Sequence, residues 1–322
     1  MFNLENKENI LKYKIFIICI LTGLFIPLLA LVSCNSEPEK TEGVKLNANT
    51  ITPKPGLRKP NPPKPGGGAT DPSGGAAAGN SGSGAANQQD EAAKQHIVNH
   101  LTALIVPSIK DNINIYNSIT WNEAAEAYDI SGANQLFDVI EYDNAQSQKT
   151  KYNGNDDESK TTRREMYLGF GYIALDIQAF GALANKMIAA KNAQMKTDLE
   201  NMVDKIREYG TAYYLTAFNT LIKKQDKLMG LDLGDLQTLK EKFNEINLAN
   251  TEISHEFTYL IYYNYDKNIE VGTADPKHQL QTTATAEEIQ DYLKDRFNSA
   301  ESDFDAIIKE ATDIANILNK IQ

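Results

Sequence analysis

The chain has 322 residues, with 43 Asp plus Glu against 32 Lys plus Arg, two Cys, one Trp and four His. The acidic surplus makes a poor electrostatic partner for nucleic acid or anionic headgroups, and two Cys exclude a disulfide scaffold. Four His leave little material for a His-built metal or catalytic centre. The charge is also uneven: segments 1–33 and 34–90 carry +1 each, so 91–322 carries −13 of the total −11.

Residues 1–33 read as a secretory signal, because a polar stretch with Lys7, Lys12 and Lys14 precedes an uncharged apolar run from Ile15 to Ser33. Length alone would also allow an uncleaved signal-anchor helix. Leu31-Val32-Ser33-Cys34 decides for cleavage, since it resembles the lipobox of bacterial lipoproteins, in which the Cys becomes the acylated N-terminus. Cys34 is therefore the predicted lipidation site and membrane anchor. Residues 34–90 hold eight of the eleven Pro and ten of the twenty Gly, with few apolar side chains. Such a segment buries too little to offset the entropy of ordering, so it reads as a disordered tether.

Residues 91–322 are predicted to form one all-α domain, an antiparallel helical bundle with a long C-terminal helix. Ile97, Leu101, Leu104 and Ile105 mark the first helix, which Pro107 ends or kinks. Shorter helices are expected over 109–119 and 133–140, then a long exposed loop over 142–159. Thr162-x-x-Glu165 and Thr197-x-x-Glu200 fit capping boxes ahead of apolar stripes running from Met166 to Met187 and from Met202 to Leu221. Asp235 is a candidate cap for a helix bearing Leu236, Phe243, Ile253 and Phe257, and Thr285-x-x-Glu288 makes a third box. In the last helix Leu293, Phe297, Ala300, Phe304, Ile307, Ala311, Ile314, Leu318 and Ile321 alternate steps of four and three. That stripe fits either a coiled-coil seam in a homodimer or burial in its own bundle. Two Ala and no complementary charge pattern favour burial.

No segment announces catalysis, a cofactor or a metal. His96 and His100 stand four apart but lack a third ligand, and His255 and His278 read as isolated. Asn155-Asp156-Asp157-Glu158 lacks the alternating ligands of a calcium loop, and Gly169-Phe170-Gly171 opens no phosphate-binding unit. Tyr259, Tyr262, Tyr263 and Tyr265 crowd one helix end, while Tyr209, Tyr213 and Tyr214 share another. An interface patch at Tyr259, Tyr262 and Tyr263 is the functional reading, and core packing is the favoured alternative.

Trp121-Asn122-Glu123, Leu136-Phe137-Asp138 and the run Arg163-Arg164-Glu165-Met166-Tyr167-Leu168-Gly169-Phe170-Gly171-Tyr172 carry a family likeness. Lys227-Leu228 with Leu231, Leu233, Leu236 and Leu239 adds to it. Together they resemble the Borrelia paralogous surface lipoproteins that include the complement-regulator-acquiring protein CspA. The Gly/Ala/Pro-rich tether looks like that of a relapsing-fever-group member. The resemblance implies a lipid-anchored protein of the outer membrane and cell surface, with a long C-terminal helix and, in some members, a dimer. It implies binding of host complement proteins, factor H or other components, in immune evasion. A surface adhesin or vector-stage structural lipoprotein, with a plasminogen, matrix or tick ligand, is the alternative it allows. No binding residue transfers, because the motif reads as structural: local salt bridges for Arg163 and Arg164, packing for Tyr167.

Overall fold

The computed structural model describes residues 83–321, with side chains from 88 onward. The signal segment, the lipidation site Cys34 and the tether as far as residue 82 lie outside the described residues. The last residues assigned to the tether belong instead to a helix, α1 (Ser83–Ala103), because Ala85, Ala86, Gln88 and Gln89 extend it backward.

Pro107 does not kink α1. It opens α2 (Pro107–Asn117) at a first-turn position where its missing N–H costs nothing. A single 3₁₀ turn at Glu123–Ala125 and a one-turn helix, α3 (Leu136–Val139), follow. The predicted exposed loop after them is an antiparallel hairpin, β1 (Glu141–Asp143) with β2 (Lys149–Lys151), which places Tyr142 opposite Thr150. Tyr142 and Tyr152 anchor it inward: both are buried, and Tyr152 stacks on Phe137 with ring centroids 5.2 Å apart.

Helix α4 (Asp157–Gly169) starts five residues before the predicted box, capped by Asp156, whose carboxylate accepts the Ser159 N–H at 2.8 Å. Thr162 lies inside the helix and its hydroxyl donates to the Glu158 carbonyl. The box at Thr197 fails in the same way, since Asn192 caps α6 (Ala193–Gly210) and Thr197 donates to Ala193. Asp232, not Asp235, caps α8 (Leu233–Ile253). In all three cases the helix begins at the nearest upstream Asp or Asn able to reach free N–H groups. The third box is present as predicted: Thr285 and Glu288 cap α10 (Ala286–Leu318) reciprocally.

The stripe from Met166 to Met187 is two helices, α4 and α5 (Ala174–Ala189), meeting at 110°. Gly171 and Tyr172 take φ values of +57° and +54°, and their N–H groups bond back to Leu168 and Tyr167. That closure of the last turn is what stops α4.

From α6 the chain continues without a break through a π-helical segment, Thr211–Phe218, and α7 (Asn219–Lys224) to a 3₁₀ stretch, Gln225–Gly230. Likewise α8 runs through a π turn, Ser254–Thr258, into α9 (Tyr259–Asp266). A second small hairpin, β3 (Glu270–Val271) with β4 (His278–Gln279), leads into α10.

Helix α10 packs against α5, α6, α7, α8 and both π segments. Lys320 pairs with Asp235, Lys242 with Glu310 and Asp313, Arg296 with Glu256, and Asn264 with Tyr292, so α8–α9 and α10 run antiparallel. Contacts of Asp198 with Lys294 and of Lys205 with Asp305 show α6 running in the same direction as α10. The apolar stripe of α10 is filled from within its own chain. Leu293, Phe304, Ile307, Ile314 and Leu318 are buried, and Phe297 packs on Phe257 and Phe304 at 6.0 and 5.7 Å. The seam proposed for a partner is therefore core. Among the described residues a single cluster of buried apolar side chains runs from Ile97 to Ile321, so a fragment spanning 83–322 carries the core it needs to fold.

Gly169 of α4 and Gly210 of α6 touch backbone to backbone. A Cβ at Gly169 would stand 2.5 Å from the Ile206 carbonyl oxygen, and one at Gly210 would stand 2.6 Å from the Gly169 nitrogen. On an exposed helix Gly→Ala stabilises by about 1 kcal/mol. Here the sign is reversed: Gly169→Ala is expected to destabilise the fragment by about 2 kcal/mol, read from chemical denaturation, because the helices must separate.

Candidate functional site

The run Arg163–Tyr172 folds into a buried polar lock. Arg163 Nε donates to both Glu123 carboxylate oxygens at 2.8 and 3.0 Å, and its terminal nitrogens reach Glu123 Oε2 and the carbonyls of Tyr152 and Gly154. Tyr167 donates to Glu123 Oε1 at 2.5 Å. Burial pushes the Glu123 carboxyl up, but the hydrogen bonds from Arg163 and Tyr167 outweigh it and hold it below its ordinary value. Arg164 lies 5.1 Å over the Trp121 ring and donates to the Tyr116 carbonyl. The side chains of this motif are thus engaged within the fold.

Two adjoining depressions, of about 520 and 450 Å³, share Asp143, Glu165 and Arg207. Asp204 and Glu208 line the first, and Asp157 and Glu158 the second. Arg207 is committed to its surroundings: it donates to Glu165 at 2.8 Å, to Asp204 at 3.1 Å and to the Tyr152 hydroxyl at 3.0 Å. Lysines at the edge pair with three further acids of the groove, Lys149 with Asp143 at 3.1 Å, Lys160 with Asp157 at 3.8 Å and Lys205 with Glu208 at 3.7 Å, so its rim carries charges of both signs. Its lining contains neither His nor Cys.

The tyrosines divide by burial. Tyr209, Tyr213 and Tyr214 are core residues, with Tyr209 and Tyr213 donating to Asn250 and Asn247 of α8 at 2.5 and 2.8 Å. Tyr259 and Tyr263 are 37% and 44% exposed, with ring centroids 6.1 Å apart, and Tyr262 is half-buried beside them. The three rings form a small, partly exposed aromatic surface. His96 is exposed, and His100 bonds Asn244 at 3.0 Å, so that pair does not converge on a common point.

Sequence reasoning missed one buried acid. Asp176 is 2% exposed in the first turn of α5, and its Oδ2 has no hydrogen-bond partner among the described residues. Burial raises its pKa from 3.8 to about 7. Its spacing in the apolar stripe, one residue before Ile177, was the available clue.

The match with known proteins falls on these elements. The family model described as Borrelia Bbcrasp-1 domain containing protein matches residues 117–319, from the end of α2 to the end of α10. The chain belongs to this family. Among solved structures, a C-terminal proteolytic fragment of an outer surface protein from Borrelia burgdorferi shares its fold with a TM-score of 0.50 at 16% identity, over 69% of this chain and 99% of that one. The outer surface protein BBA66 from Borrelia burgdorferi gives 0.51 at 15% identity, again over 69% and 99%. No curated protein matches the sequence. Glu123, Arg163 and Tyr167 all lie inside the span that the family model matches, which fits a role in the shared fold.

Asp176 gives a pH test of the interior. Its unfolded carboxyl ionises from about pH 4 upward, whereas the folded one keeps its proton to about pH 7. Between those values the native state holds the extra proton, so stability falls as pH rises and levels off above the window. Asp176→Asn is expected to be more stable than the wild type at pH 8 by about 2 kcal/mol, and close to it at pH 4, in parallel denaturant titrations.

Proposed function

We propose that this chain is a lipid-anchored outer-surface protein whose helical domain binds host complement proteins, factor H or other components, without catalysing a reaction. Membership of the Borrelia family over residues 117–319 is the observation that carries the reading. Two proteins with this fold are described as outer surface proteins of Borrelia burgdorferi, which supports placement at the cell surface. The Leu31–Cys34 sequence supports anchoring through an acylated Cys34.

The geometry supports binding more than chemistry. The groove at Arg207 offers a rim of both charge signs, and Tyr259 and Tyr263 offer apolar area with polar tips. A partner with a mixed-charge face fits both. Neither surface brings a nucleophile together with a positioned base, the arrangement that hydrolytic chemistry needs.

The soluble 83–322 fragment is expected to capture factor H, C3b, C4b or a terminal component from purified panels. That capture should weaken with added salt, and the displayed full chain should protect cells from serum lysis. Capture of plasminogen, matrix or tick-derived protein, with no complement component retained, would replace the complement reading by the adhesin one. Labelled palmitate is expected to enter the full chain and not its Cys34→Ala variant; equal labelling of both would remove the anchor.

A further inference from the structure

The outward face of α8 and the π turn that follows it carries a cluster of carboxylates around one histidine. Among the described residues, only Glu252, His255 and Glu256 bring three metal-type ligand atoms together, all within 4.8 Å of one another. The His255 imidazole, read from sequence as isolated, has Nδ1 2.9 Å from Glu256 Oε1. Its side chain is 73% exposed, so a cation can reach it from solvent.

A second observation is the charge balance. Among the described residues Glu252 forms no ion pair, although Lys and Arg neutralise acids elsewhere along this seam. Arg296 lies 3.7 Å from Glu256, but at Oε2, leaving Oε1 on the His255 side. The place is thus short of positive charge, and carries an imidazole nitrogen and carboxylate oxygens pointed at one another.

We propose that Glu252, His255 and Glu256 form a zinc site on the outer face of the domain, with a solvent-facing position open to a further ligand. One imidazole with two carboxylates is a zinc donor set, and calcium or magnesium would take oxygen ligands alone. Zinc ligand atoms sit about 2.0–2.2 Å from the metal, hence roughly 3.3 Å from one another in a tetrahedron. Closing from 4.8 Å asks only for small rotations of exposed side chains.

The test uses the untagged 83–322 fragment, titrated calorimetrically with zinc chloride, with thermal melting alongside. One zinc per chain is expected, with a raised Tm. His255→Ala and Glu252→Gln, both at exposed positions, should each lose about tenfold or more in affinity and lose the Tm shift. The double variant His96→Ala/His100→Ala should bind as the wild type does. Absence of saturable binding, unchanged binding in His255→Ala, loss in the His96/His100 variant, or equal affinity for magnesium would each overturn the proposal. The outcome is independent of whether complement proteins bind.

Discussion

Much of the N-terminal half of the domain depends on one guanidinium. Arg163 sits on α4, 7% exposed, and its donors are shared between Glu123 in the 3₁₀ turn and the carbonyls of Tyr152 and Gly154 at the end of the hairpin. Two segments that lack an apolar face of their own are thereby pinned to a helix. A charge this buried is tolerable only with its partners in place; breaking such a pair from one side costs about 3–5 kcal/mol. The paired arrangement gains geometric specificity from the planar fork, which Lys would not reproduce. Tyr167 completes the satisfaction of Glu123, and the Phe137 and Tyr152 rings close over the same place. Stability here comes from a polar network that is fully paired and then roofed with aromatic rings, so the residues that look most chemical are the ones least available for chemistry.

The C-terminal half is organised by α10, whose apolar stripe is enclosed by α5, α6 and α8. Two π segments allow that enclosure. The stripe of the helix beginning with α6 runs Met202, Ile206, Tyr209, Tyr213, Phe218 and Leu221, with a step of five between Tyr213 and Phe218. An α-helix would rotate one of those rings out of register. The wider turn at Thr211–Phe218 restores it, so that Tyr213 and Phe218 meet at 4.9 Å and Phe218 reaches Phe243 at 5.2 Å. The second π turn sits where Phe257 meets Phe170, Phe180, Phe297 and Phe304. Large rings at the centre of the bundle set the helix geometry around them.

Helical periodicity made α1, α2, α6, α8 and α10 legible, together with the core stripe of α10 and the Thr285 cap. The β1–β2 hairpin was not legible, because strands of three residues reading Glu-Tyr-Asp and Lys-Thr-Lys carry no alternation to detect. Its buried aromatic anchors, Tyr142 and Tyr152, are ten residues apart and gain meaning only once α4 supplies Ser159 and α6 supplies Asp204 as hydroxyl partners. The false boxes at Thr162 and Thr197 show a related limit. A Thr followed three residues later by Glu also occurs inside helices, and only the backbone exit at Asp156 or Asn192 identifies the true start. The 110° bend at Gly171–Tyr172 was hidden for the opposite reason, since the apolar rhythm continues through it.

What remains for function is the surface that the core does not consume, and its character follows from the same partition. The apolar stripe of α10 is spent inside, and Arg163, Arg164 and Arg207 are spent holding segments together. The net charge of −13 on residues 91–322 therefore falls on a surface where acids outnumber the lysines that pair with them. A surface built in this way attracts cations and basic faces without prescribing which. Selectivity must come from the few directional groups placed among the acids: the Tyr259 and Tyr263 rings and the His255 imidazole, on successive turns of one continuous helix running from α8 into α9.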